Sequence, residues 1–388
     1  MSTQRRIPAV DRLGALLTAI GTAAVIFLPF VLFKSNRIMP GDPKGMLEAL
    51  PVSTTLLCCA ALVFAAVVAD GGRDARIRLA AALLAIAAVA HTVAAAGDAL
   101  TPIGNRVVRV APGSGFWVLL ISLGLLATDA ITRLRPGPGR RVLWLVLFIA
   151  VTTLSFALGT FDHLSVMREY AVNATRFARE LRQHVWLAFG SLLAALVVAL
   201  PMGIACYRAP RLRSAMLAAL NLIQTIPAIA LFGILMAPLA ALAAAFPLAA
   251  DLGVRGIGAA PAVIALFLYA LLPIVANTVV GLKRVSPMAV AAARGMGMTN
   301  WQILTSVELV LALPVILTGI RIALVQNVGL VTIGALIGAG GLGAFVFQGI
   351  GQTAIDLVLL GAIPTVVLAF SAAVVLDAIV EVLDRARA

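Results

Sequence analysis

Ten runs of apolar residues, each close to the 20 or so that a helix needs to cross a hydrocarbon core, leave this chain few choices of fold. They fall near residues 14–33, 51–69, 77–97, 115–131, 142–160, 185–206, 216–236, 261–280, 308–328 and 356–381. With 62% hydrophobic and 12% charged residues over 388 positions, the sequence reads as an all-α polytopic membrane protein with about ten transmembrane helices. The first run is not expected to be a cleaved signal, because "KSNRIMPGDP" behind it lacks a small-x-small exit.

A formal charge of +13 would suggest nucleic acid as the partner of a soluble chain; in a bilayer it asks which side the basic residues occupy. Placing both termini in the cytoplasm puts eighteen Lys and Arg inside and ten outside. The inner set includes Arg5, Arg6, Arg12, Arg73, Arg76, Arg78, Arg385 and Arg387, and the outer set includes Arg106. This bias predicts cytoplasmic N- and C-termini and accounts for the basic balance without nucleic acid. Cys58, Cys59 and Cys206 sit in apolar runs without metal-ligand spacing and read as packing residues, so no metal or cofactor is expected.

Polarity divides the chain. Residues 1–160 form a five-helix membrane region with almost nothing polar inside its spans, and no role follows from its composition. Residues 161–184 read as an amphipathic outer helix lying on the bilayer and entering the core. In 185–388 the spans carry Gln, Asn, Thr, Pro and Gly, which a membrane tolerates where they face protein or a water-filled path. Gln224, Thr225, Pro227, Asn277, Arg321 and Asn327 are therefore candidates for a path, and Gln224, Thr225 and Pro227 can break and hydrate their helix near mid-span, as a path wall or as a packing contact would. Gly338, Gly340, Gly341 and Gly343 form a flexible or closely packed turn at its outer mouth. "GAGGLG" matches G-x-G-x-x-G by letter, yet it lies between membrane-length segments, not in a strand-turn-helix unit. Arg321 is expected to face the protein interior or path, or to make an ordinary structural polar contact, and a simple pair with Asp377 is not expected, because the two sit at different depths of oppositely running helices.

Between the eighth and ninth runs, Ser286 and Pro287 supply a cap and a first-position proline for a short helix. Ala289, Ala292, Ala293 and Met296 recur at i, i+3, i+4 and i+7 as a small apolar face, with Arg294 off it. Gly295 and Gly297 end the helix, and Thr299 with Gln302 forms a capping box for the next. Such a helix can dock on another protein or pack on its own bundle. Enzyme readings find little support: His91, His163 and His184 are scattered, and Asp377 with Glu381 falls at a helix end where solvation suffices.

This loop resembles the "EAA" coupling loop of ABC importer permeases: Ala292, Ala293, Gly297 and Leu309 match at the right spacing, and Val307 replaces Ile. Ala291 stands where that pattern has Glu, and Val310 where it has Pro. Around it, "HVWLAFGSLLAALVVALPMGI", "NLIQTIPAIALFGIL" and "ALPVILTGIRIALVQNVGLVTIGALIGAGGLG" are similar to permease subunits of the osmoprotectant family, over about residues 175–385. The additional N-terminal half makes the long Yeh-type members the nearest match. The resemblance implies a C-terminal five-helix type I ABC importer permease core in the bacterial inner membrane, its coupling loop at 281–307. It also implies ATPase contacts at Ala289, Ala291, Ala292, Ala293, Arg294, Gly295, Met296 and Gly297. The implied partners are a cytoplasmic ABC ATPase dimer, an extracytoplasmic substrate-binding protein and a second permease, the same or different. The implied cargo is glycine betaine or a related quaternary ammonium compound. No G-x-x-x-x-G-K-[ST] occurs, so ATP hydrolysis falls to another chain and this one is not an enzyme. A self-contained secondary transporter or channel, or a regulatory permease-like subunit, are the alternatives.

Overall fold

The computed structural model describes residues 11–37, 39–71, 74–105 and 107–385. Of the basic residues behind the orientation argument, Arg5, Arg6, Arg73, Arg106 and Arg387 lie outside this set. The chain forms two compact units, residues 1–140 with 146–172, and 141–145 with 173–388. Among the described residues nine helices are long and apolar enough to cross a membrane, and a tenth apolar helix is shorter.

The first unit opens with α1 (Arg12–Phe27), β1 (Val31–Lys34), β2 (Asp42–Lys44) and α2 (Met46–Ala49). It continues through α3 (Val52–Asp70), α4 (Ala75–Leu100), β3 (Arg109–Pro112), α5 (Ser114–Leu134) and α6 (Pro138–Ala157). Small residues let these helices approach closely: Ala81, Ala82, Ala85, Val89 and Ala96 bury one face of α4, and a Cβ on Gly14 would come within 2.8 Å of the Ala69 carbonyl. The sequence did not announce the antiparallel sheet, ordered β2-β1-β3, that closes one end. Residues 14–33 are therefore not one helical span: α1 ends at Phe27, Pro29 cannot continue the helical ladder, and the chain turns into β1. Pro43 occupies an edge strand, where its missing N–H costs no ladder bond.

Spans of this unit are less uniformly apolar than their composition suggests. At the end opposite the sheet, Arg78 of α4 is 4% exposed and reaches Asp11 at 2.5 Å and Asp129 at 3.1 Å. Arg133 closes the square on the same two carboxylates at 2.6 and 2.9 Å. Asp11 also caps α1, accepting from the N–H groups of Leu13 and Gly14. The hydrogen bond from Arg78, with that of Gly14 behind it, holds the Asp11 carboxyl down at about 2 against an ordinary 3.8. A carboxyl whose folded value is depressed stabilises the fold above its unfolded value and loses that contribution as pH falls through the folded one. The melting-temperature difference between the wild type and Asp11→Asn in detergent should accordingly stay constant down to about pH 4 and shrink as the pH approaches 2. A difference that persists unchanged at the lowest pH would contradict this role.

The second unit follows from α7 (Ser165–Arg208), which begins in the first. Residues 161–184 were expected to lie on the bilayer and enter the core, and all but their first few do run without interruption into the following span as one helix of 44 residues. What differs is the surface they meet. Glu169, Glu180 and His184 are buried, so that polar face meets protein. Then come α8 (Pro210–Thr225), α9 (Ala228–Ala245), α10 (Pro247–Asp251) and α11 (Ala259–Lys283). α12 (Pro287–Gly295), α13 (Asn300–Ile303), α14 (Leu309–Gly334), α15 (Gly343–Gly351) and α16 (Ile355–Arg385) complete it. α11 is the centre of this unit, burying Ala262, Ala265, Leu266, Ala270, Ile274 and Val275. It packs most extensively on α14, where Gly319 lies against the Pro273 carbonyl and Gly281 against that of Ala312.

Candidate functional site

At one end of the α11–α14 pair sits the short helix the sequence describes. Pro287 starts α12, and the Ser286 hydroxyl accepts from the Met288 N–H at 3.3 Å. Gly297 leaves it with φ +81°, a conformation costly for other residues. The Thr299 hydroxyl accepts from the Gln302 N–H at 3.3 Å, and the Gln302 side chain accepts from the Thr299 N–H at 2.8 Å. The apolar face divides differently from its spacing: Ala293 is buried and Ala289 half-buried, whereas Ala291, Ala292, Arg294, Gly295, Met296 and Gly297 are exposed. Met296 lies just beyond the last helical residue, so its side chain leaves the face that i+7 would assign it. The outward surface carries Met288, Met296 and Trp301, which are 79, 76 and 70% exposed. Sequence reasoning missed Met288 and Trp301; large apolar residues beside a capped polar turn were the available signal.

A π-helical turn, Leu304–Glu308, joins α13 to α14. Its wider winding carries Glu308 inward, to 7% exposure, where Tyr207 of α7 donates to it at 3.4 Å.

A second cluster lies further along α11. The helix expected at 216–236 is broken at Ile226 between α8 and α9, as Pro227 requires of the residue before it. Gln224 donates at 2.8 Å to the Tyr269 carbonyl, which Pro273 four residues on cannot serve, and the Tyr269 hydroxyl donates at 2.5 Å to the Ile226 carbonyl that the break exposes. Thr225 donates to the Leu222 carbonyl at 2.7 Å. Tyr269, the residue that holds the break, had no sequence signal.

Asn277 donates to the Pro273 carbonyl at 2.8 Å, and fully buried Asn327 donates to Ser191 at 3.0 Å while its Oδ1 finds no partner. The expectation that Arg321 would not pair with Asp377 is overturned, for the two form an ion pair. Helical side chains lean toward their own N-terminus, so on antiparallel α14 and α16 the two lean toward each other and close the difference in depth. Asp377 and Glu381 are thus not merely solvated: Glu381 pairs with Arg141 and Arg385.

At the opposite end of α14 from α12, a 3-10 turn leads into the glycine segment. Gly338, Gly340 and Gly341 have φ of +78, +76 and +84°, and Gly343 abuts the Thr332 carbonyl so closely that no Cβ fits. The turn is tied down, not loose. The Gly258 N–H donates to Ile337, and Gln183 to the carbonyl of Ala339. Glu180 accepts from the Gly341 N–H at 2.9 Å and His184 Nδ1 from that of Leu342 at 3.2 Å. With Nδ1 accepting, His184 Nε2 carries the hydrogen and donates to the Val328 carbonyl at 3.0 Å.

Gly258, Tyr269, Asn277 and Ser286 follow one another along α11 and its flanks at spacings of about 17, 12 and 13 Å, taking 1.5 Å per residue. The candidate residues form a series along one axis, not one pocket.

A polar series along a helical bundle, with a capped helix at one end and a pinned glycine turn at the other, is the layout of a membrane permease. The family model for "Binding-protein-dependent transport system inner membrane component" matches residues 187–388, and that for "ABC transporter permease YehY, N-terminal domain" matches 11–167. The chain belongs to the first family, the membrane-spanning permeases of ABC importers, and carries a Yeh-type N-terminal region before it.

Over its core the chain is 43% identical to the osmoprotectant import permease protein OsmW of Salmonella typhimurium, covering 51% of this chain and 86% of that one. It is 38% identical to the choline transport system permease protein OpuBD of Bacillus subtilis, covering 57% and 89%. The carnitine transport permease protein OpuCB of Listeria monocytogenes is 37% identical, over 48% and 78%. Among solved structures, an inward facing MetNI methionine ABC transporter gives a TM-score of 0.47 at 24% identity, over 53% of this chain and 95% of that one.

Proposed function

We propose that this chain is one permease subunit of an ATP-driven importer of osmoprotectants, small quaternary ammonium compounds such as glycine betaine, choline or carnitine. The observation that carries it is α12, capped at both ends and presenting Met288, Met296 and Trp301 outward, in a core similar to three permeases of such solutes. In this reading a cytoplasmic ATPase dimer docks on α12 and the residues Ala289, Ala291–Gly297. Both chain termini share that cytoplasmic side of the inner membrane. A substrate-binding protein delivers solute at the far end, and a second permease completes the path. Gln224, Thr225, Pro227, Asn277, Arg321 and Asn327 line or shape that path, and the glycine turn closes it. Residues 185–388 are then the transport core, 161–184 lead into it, and 1–160 is a further membrane region with no assigned role.

The mechanics follow from the packing. Closure of the ATPases moves α12, which is joined by short turns to α11 and α14. Glycine contacts bind those two helices backbone to backbone, and α14 ends in the glycine turn. A push at one end is therefore delivered to the other. Hydrolysis takes place on the separate ATPase chain.

Secondary transport draws support from Asp377, a carboxylate facing Arg321 within the bundle that an ion-coupled carrier could use. One experiment separates the two readings. The tagged protein, purified from native membranes in mild detergent, should bring an ATPase with it, and proteoliposomes of that complex with the binding protein should accumulate radiolabelled glycine betaine only with ATP. Uptake by the permease alone, driven by an ion gradient, would refute the importer reading.

A further inference from the structure

α15 is a short helix without a cap of its own: the position that should supply one is Leu342, which has no side-chain acceptor. The two N–H groups just ahead of it are met from α7, some 160 residues earlier in the chain, that of Gly341 by the Glu180 carboxylate and that of Leu342 by the His184 imidazole. The negative charge stands where the dipole of α15 favours it. Arg176 extends the seam, donating to Gln348 at 2.6 Å and lying 4.8 Å over the Phe345 ring.

α15 has a second neighbour, and that contact is of another kind. Against α16, Gly349 and Gly361 leave no room for a Cβ, so the backbones interlock. The α7 seam joins side chains to backbone polar groups, contacts that water can replace when it opens, and adds one ring contact, Phe177 tilted on Phe345 at 6.1 Å. Glu180 is prepared for release, since its other oxygen faces Arg179 at 3.3 Å and Arg176 at 3.9 Å on α7 itself. The carboxylate keeps counter-charge after Gly341 leaves. His184 likewise stays oriented by the Val328 carbonyl.

We propose that Glu180 and His184 are the latch of the gate opposite the coupling helix: they hold the Gly338–Leu342 turn and α15 against α7, and the gate opens by parting that seam while α15 stays with α16. This rests on the reading of the glycine turn as the gate of an ATP-driven permease.

The test uses the complex with its ATPase in proteoliposomes. Cys58, Cys59 and Cys206 are replaced by alanine, and Ala339→Cys, at a site now 3% exposed, reports access to a membrane-impermeant maleimide. Ala344→Cys serves if the first reporter does not assemble. Without nucleotide, Glu180→Ala and His184→Ala should each raise the labelling rate about tenfold or more, as loss of a hydrogen bond on which closure depends requires. Glu180→Gln, which can still accept from Gly341 but carries no charge, should fall between. Labelling in Glu180→Ala within about twofold of the parent would overturn the latch. So would a parallel rise at a control cysteine in place of Ala312, buried near the other end of α14, because that reports general loosening. The gate reading has its own readout: in the intact latch, ATP turnover should accelerate labelling at position 339. If ATP leaves that rate unchanged, the gate assignment fails, whatever the Glu180 variants do.

Discussion

Gly297→Arg is expected to reduce ATP-dependent uptake at least about tenfold, and the recovery of the ATPase with the permease in proportion, while the protein remains folded. Two observations set these opposite outcomes. Nothing lies within 4 Å of a Cβ built at Gly297, so the new side chain meets open space. The φ of +81° is strained for arginine, at a cost of about 1–3 kcal/mol confined to an exposed turn. The same side chain would stand beside Met296 and Trp301, on the surface assigned to the ATPase, where a bulky charge must lose its water to be covered. Uptake and co-purification are measured together with the elution profile. Unchanged uptake in Gly297→Arg would remove α12 from the coupling machinery.

Arg78→Ala should cost about 3–5 kcal/mol of stability in the first unit, the largest structural effect foreseen for a single residue here. The substitution leaves Asp11 and Asp129 facing each other across a buried gap, with Arg133, half-exposed, as their remaining cation. Arg78→Lys keeps the charge but loses the fork that serves two carboxylates, and should recover only part of the loss. Denaturant titration in detergent micelles ranks the three proteins; an Arg78→Ala curve overlaying the wild type would show the square to be ornamental.

Elements whose causes are local were legible from residues alone. The α12 corner was read down to its caps, because Ser286, Pro287, Thr299 and Gln302 act on neighbours within three positions. The break at Ile226 followed from Pro227. What was missed depends on partners distant in sequence. Tyr269 sits 43 residues from the carbonyl it satisfies, and Glu180 sits 161 from the N–H it accepts. The small sheet was invisible for another reason: its strands hold three or four residues each, too few for a period of two to stand out from the loops around them. Arg321 was misread because depth was counted at the backbone, while the contact is made by side chains leaning along their helices.

The glycine contacts between α11 and α14 carry one more consequence. Where Gly319 meets the Pro273 carbonyl and Gly281 that of Ala312, backbone abuts backbone at two points, which resists sliding of one helix along the other. Under the proposed mechanism the bending then falls to the margins, the π turn at one end and the glycine turn at the other, and a displacement entering through α12 would reach the far end as the two helices turning together.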